Sequence, residues 1–140
     1  MTKYLLVFDD YPLATENQLF LLNLRKAFQK ADVVIQEEKN VHSLTQALQS
    51  RAYAAIILDV MAAFPAAPEL EAVTGIEVLR RCRNGQYGPS NQQAAFFMRS
   101  ARGEIHIHEE ATKLGSLGWF KPGSDDSELI SVLKERLRPS

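Results

Sequence analysis

Residues 54–59, AAIILD, form an uninterrupted apolar run that ends on one carboxylate, Asp59, and an alanine- and proline-rich stretch follows it to Gly75. An apolar run without polar alternation suits a strand buried on both faces, the kind found in parallel sheets. Comparable runs lie at 4–8 (YLLVF), 33–36 (VVIQ), 94–98 (AAFFM) and 118–120 (GWF). Helical spacing fills the intervals. Leu21, Leu24, Ala27 and Phe28 share one face over 13–30; a helix over 44–51 follows a cap at Ser43, and another over 76–83 follows Thr74 and Gly75. A helix over 109–114 ends at Gly115, where a left-handed terminator belongs, and one over 127–137 starts after the acids Asp125 and Asp126. Five βα units in a row predict an α/β fold: a doubly wound, parallel five-stranded sheet with helices on both faces and right-handed crossovers.

With 140 residues, 46% of them hydrophobic, the chain has the size and apolar content of one domain spanning 1–140. Sixteen basic against seventeen acidic residues leave a net charge of -1, so no general positive field recruits nucleic acid or an anionic membrane. The single cysteine, Cys82, has no disulfide mate and no companions at metal-ligand spacing, and reads as a buried bystander thiol in a reducing compartment. The apolar run at the N-terminus is too short for a secretory core or a membrane span. A cytoplasmic protein is expected.

In doubly wound sheets ligands gather at the carboxyl ends of the strands. That rule brings Asp9 and Asp10 (end of the first strand), Asp59 (third), Ser100 (fourth) and Lys121 (fifth) to one edge. Three clustered carboxylates repel one another unless protonated or neutralised by a cation, and oxygen ligands of this kind suit Mg²⁺ with waters and phosphate oxygens completing its shell. A lysine offers a point charge to a phosphoryl oxygen, and a hydroxyl beside the small Ala101 offers a donor without blocking approach. Phosphoryl transfer needs little more, since an aspartate can itself accept the group.

The chain resembles the receiver domains of two-component response regulators, the CheY-like, flavodoxin-like fold. LLVFDDYP resembles the family's first strand with its acidic pair, IILDVM the acceptor strand, TGIEVLRRCR the third helix, FFMRSA the hydroxyl strand and LGSLGWFKPG the lysine–proline strand end. The resemblance implies that Asp59 is the phosphoacceptor and that Asp9, Asp10, Asp59 and the backbone carbonyl of Met61 hold Mg²⁺. It also implies that Ser100 and Lys121 contact the phosphoryl oxygens, that Trp119 is a switch aromatic, and that the Lys121–Pro122 bond is cis. A histidine kinase or phosphotransfer protein is the implied donor, and a further protein of unknown identity reads the signal. The expectation is a stand-alone receiver with no output domain, a monomer or homodimer, acting as a phosphoacceptor rather than as an enzyme.

Three features depart from the family pattern. The connection after Asp59 carries an insertion at about 62–73, which either gates the site, forms a partner surface or is a tolerated surface loop. GWFKP has one residue fewer between aromatic and lysine than usual, and because side chains alternate along a strand, either Trp119 or Lys121 is expected to lose the family geometry. Arg99 stands where the strand is commonly apolar, and either biases the site electrostatically or points to solvent.

Other readings compete. A pseudo-receiver would keep the fold as a phosphorylation-independent binding module. A phosphohydrolase of the haloacid-dehalogenase type wants a second aspartate two residues after the first, and that position is Met61. A flavin or nucleotide binder wants a glycine-rich loop after the first strand, whereas DDYPLATEN has no glycine. His106 and His108 read as plain polar residues without a site.

Overall fold

The computed structural model describes residues 1–9, 14–59 (Asp59 through its backbone), 75–101 and 105–138. Its elements alternate in chain order: β1 (Lys3–Phe8), α1 (Thr15–Ala27), β2 (Val33–Glu38), α2 (Val41–Ser50), β3 (Ala55–Asp59), α3 (Gly75–Arg83), β4 (Phe96–Arg99), α4 (Ile105–Lys113), β5 (Trp119–Phe120) and α5 (Asp126–Arg136). The strands form one parallel sheet in the order β2-β1-β3-β4-β5. This is the expected doubly wound architecture, with its switch of direction between β1 and β3. Asp10, Met61 and the expected insertion at 62–73 lie outside the described residues.

The central strands β1, β3 and β4 are mostly apolar because both faces are covered. Leu6, Phe8, Ile56, Leu58, Phe96 and Met98 point to a core shared with Leu44, Leu48, Leu79 and Cys82 of α2 and α3, and with Ala111 of α4. The intervening residues Leu5, Val7, Ile57 and Phe97 point to the opposite core, filled by Phe20, Leu24 and Phe28 from the α1 side and Leu129 and Leu133 of α5. Parity along each strand therefore decides which helices a side chain meets.

Several element ends differ from the sequence reading. The cap of α2 is Asn40, whose carboxamide accepts the Ser43 N–H at 2.8 Å, so the helix starts three residues before the position expected from Ser43. Helix α4 starts at Ile105, earlier than the expected 109, and the exposed Ile105 and His106 in its first turn blur the amphipathic pattern that would mark that start. Asp125 does not cap α5 with its side chain and instead accepts the Lys121 N–H at 2.8 Å. Gly115 does take the left-handed conformation, at φ 86°.

Candidate functional site

Asp9 and Asp59 stand side by side at the switch point. Phe8 is in register with Leu58, so the backbones of Asp9 and Asp59 follow at the same level at the ends of adjacent strands, and Asp59 is in turn registered with Arg99 and Arg99 with Phe120. A row of chemistry-bearing positions thus crosses the sheet at the carboxyl ends of β1, β3 and β4, where doubly wound folds bind ligands.

Asp9 is held deep, with 7% of its surface exposed; its backbone N–H donates to the Glu38 carbonyl at 3.0 Å and its Oδ1 accepts the Asn17 amide at 3.1 Å. Asn17 comes from the first turns of α1. Ser100 follows the row on β4, 2% exposed, its backbone N–H bonded to the Phe120 carbonyl at 2.9 Å. The structure therefore brings Asp9, the Asp59 backbone and Ser100 to one edge of the sheet.

Lys121 is at the same edge by position, yet its side chain is exposed and its ammonium enters no hydrogen bond or ion pair among the described residues. Its backbone is fixed by the turn that follows. The Lys121 N–H bonds Asp125 Oδ2, the Asp125 N–H bonds the Lys121 carbonyl at 2.9 Å, and the Gly123 N–H bonds Asp126 Oδ2 at 3.0 Å. Pro122 opens this turn, Gly123 takes φ 83°, and the expected cis Lys121–Pro122 bond is trans. Proline in the first corner followed by a positive-φ glycine suits an ordinary trans turn, and the two aspartates close it.

Trp119 packs against the core on the side of α2, α3 and α4, its ring 4.0 Å from that of His108 between centroids. Its buried indole Nε1–H has no hydrogen-bond partner among the described residues. His108 thus meets an aromatic ring; among the described residues no group of three metal-ligating side chains comes together.

The residue that changes the electrostatics of this edge is Arg99. The sequence left open whether it faces solvent, and it does not: it is 2% exposed and lies on the face of α1 and α5. Its guanidinium spans Asp126, with Nε 2.9 Å from Oδ1 and Nη2 3.1 Å from Oδ2, donates to Asn17 Oδ1, and lies 4.4 Å above the Phe20 ring. A two-point guanidinium–carboxylate contact is the strongest form of such a pair. Asn17 and Asp126 were not among the sequence candidates, since a polar residue on a helix and an acid at a helix start carry no distinguishing signal. Arg99 itself had one: a charge inside an apolar strand.

The donor chemistry at the edge fits a hard divalent cation, because Asp9 presents carboxylate oxygens beside the strand position of Asp59. Asn17 occupies one face of the Asp9 carboxylate and fixes its orientation.

No protein-family model matches the chain, and no curated protein matches it by sequence. Solved structures do. The Vibrio cholerae chemotaxis protein CheY4 superposes with a TM-score of 0.70 at 16% identity, covering 98% of this chain and 100% of its own. The receiver domain of the Francisella response regulator 1452 matches at 0.69 and 17% identity, covering 98% of each chain. The receiver domain of a Pseudomonas aeruginosa sensor histidine kinase, described with a magnesium ion coordinated in its active-site cleft, matches at 0.69 and 14% identity over 99% of this chain and 100% of its own. The fold is that of the CheY-like response regulator receiver domains. No helix among the described residues is long and apolar enough to cross a membrane.

Proposed function

We propose that this chain is a receiver that accepts a phosphoryl group on Asp59 from a phosphohistidine of a histidine kinase or phosphotransfer protein. In that step a carboxylate oxygen of Asp59 bonds to phosphorus as the P–N bond of the donor breaks, and the imidazole leaves. The observation that carries the reading is the register of Asp59 beside the Asp9 end of β1, at the switch point of a receiver-type sheet, with buried Ser100 just past the end of the next strand. Asp9, Asp10, Asp59 and the Met61 carbonyl would hold Mg²⁺, which when bound neutralises charge on the transferring group. Ser100 donates its hydroxyl to a phosphoryl oxygen, and Lys121 supplies a point charge once its exposed side chain turns inward. Trp119 is the aromatic whose packing changes with the state of the site. The protein acts in the cytoplasm as a single receiver domain, a monomer or homodimer, and passes its signal to a downstream protein by contact and not by turning over a substrate.

A second reading is favoured by one observation: the exposed side chain of Lys121 leaves the edge without the cation that phosphoryl transfer uses, as in a pseudo-receiver that binds partners without phosphorylation. Intact mass after incubation with Mg²⁺ and acetyl phosphate separates the two. A single phosphoryl adduct, lost in Asp59→Asn and lost without Mg²⁺, supports the phosphoacceptor; an unmodified wild type supports the binding module.

A further inference from the structure

The acidic row carries a buried cation for which phosphoryl transfer as described has no use. From Asp9 a continuous polar chain runs through Asn17 and Arg99 to Asp126, and Asp126 Oδ2 also holds the Gly123 N–H of the turn that carries Lys121. Nη2 of Arg99 adds a 3.4 Å contact to the Glu16 carbonyl. Asp9, Asn17 and Arg99 are 7%, 6% and 2% exposed, and a cavity of about 10 Å³ lined by Asp9, Asn17, Phe20 and Arg99 has room for one water at most. Charges so enclosed are weakly screened, so each feels a change in its neighbour strongly.

We propose that Arg99 is a positioning residue that couples the acceptor row to the last helix. Its guanidinium divides its contacts between the Asn17–Asp9 pair and Asp126, and its strand position is registered with Asp59. This rests on the phosphoacceptor reading of Asp59: a phosphoryl group there adds charge on the neighbouring strand and draws the guanidinium from Asp126 toward β3. Asp126 then relaxes its hold on the Gly123 turn, which frees Lys121 to turn inward and loosens the start of α5. The surface of α5 is thereby switched from the site through a side-chain relay on the α1 and α5 face of the sheet. The device is bistable because Asp126 and the acceptor row compete for one fork of donors.

The test is hydrogen exchange across residues 121–137, with and without Mg²⁺ and beryllofluoride as a phosphoryl mimic, in the wild type, Arg99→Lys, Asp126→Asn and Asp9→Asn, alongside intact mass after acetyl phosphate. Coupling predicts that beryllofluoride changes wild-type exchange in this segment by at least about fivefold, the lower end of ordinary site-to-site coupling. It also predicts that Arg99→Lys, which keeps charge but not the fork, abolishes that response, and that Asp126→Asn shows fast exchange before any mimic is added. A wild type that takes the phosphoryl adduct while Arg99→Lys responds as the wild type does overturns the coupling and spares the phosphoacceptor. A wild type that takes no adduct overturns the phosphoacceptor. The coupling is then read from Asp9→Asn alone: exchange altered in the Arg99 background and unaltered in Arg99→Lys keeps the relay, and no alteration in either overturns it.

Discussion

Arg99 and Asp126 meet through two nearly parallel hydrogen bonds, 2.9 Å from Nε to Oδ1 and 3.1 Å from Nη2 to Oδ2, that tie the end of β4 to the first turn of α5. Arg99 is fully enclosed, while the Asp126 side chain keeps 15% exposure. Removing one partner of such a pair is costly because the other is left charged without a mate. Arg99→Met is expected to lose roughly 3 kcal/mol in urea unfolding. Asp126→Asn in that background should add much less than it costs alone, the non-additivity of directly coupled residues.

Gly118 sits where a side chain has no room. A Cβ there would fall 2.6 Å from Cε2 and 3.0 Å from Cζ of Phe120, whose ring lies on the α1 and α5 core beside Phe97. A buried aromatic ring in a close-packed core cannot swing away cheaply. Gly118→Ala should destabilise by about 1–3 kcal/mol, with the Phe97 and Phe120 ring signals displaced in NMR spectra and those of α2 unchanged.

Asn91 is a buried knot at the opposite end of the sheet. Its Oδ1 accepts the Tyr53 N–H at 2.9 Å, and its Nδ2 donates to the Leu48 and Arg51 carbonyls at 2.9 and 2.7 Å, so one side chain ends α2 and starts β3. Asn91→Ala leaves the buried Tyr53 N–H and Leu48 carbonyl unpaired, and roughly 2–3 kcal/mol of stability should vanish. Phosphorylation by acetyl phosphate should survive under conditions where the variant stays folded.

Burial pushes the Cys82 thiol up to about 11, with the nearby Arg83 opposing the rise, and Sγ lies 3.3 Å from the Asn91 carbonyl. Because the folded value lies above the ordinary thiol value, the stability gained by keeping Cys82 neutral is fully present below the unfolded thiol's pKa of about 8.5. It is lost as pH rises from there through about 11. Iodoacetamide should therefore label native Cys82 slowly at pH 8. Cys82→Ala should lose less stability than the wild type between neutral and alkaline pH, even though its neutral-pH stability is lower. Tyr53 and Tyr87, also raised chiefly by burial, act in the same direction in both proteins.

The alternation of strands and helices was legible because β1, β3 and β4 are covered on both sides and so show unbroken apolar runs. Strand-end arithmetic located the edge that holds Asp9, Asp59 and Ser100. Side-chain direction was harder to read. Strand β5 has only two residues, Trp119 and Phe120, too few to fix a parity by pattern, so the direction of Lys121 depended on a turn closed by Asp125 and Asp126. Arg99 could be seen as an oddity in FFMRS, but its meaning required Asn17 and Asp126, distant in sequence by 82 and 27 residues. The cap of α2 was misplaced because Asn40 and Ser43 are both good caps, and the burial of Leu44 and Leu48 fits either start.

The most direct measurement is to trap the modified residue itself. After incubation with Mg²⁺ and acetyl phosphate, borohydride reduces an aspartyl phosphate to homoserine, and peptide mass mapping locates the change. Phosphorylation at the acceptor row predicts one homoserine, at position 59, absent when Mg²⁺ is left out. Homoserine at another aspartate, or none while the protein stays folded, would contradict the assignment of Asp59 as the phosphoacceptor.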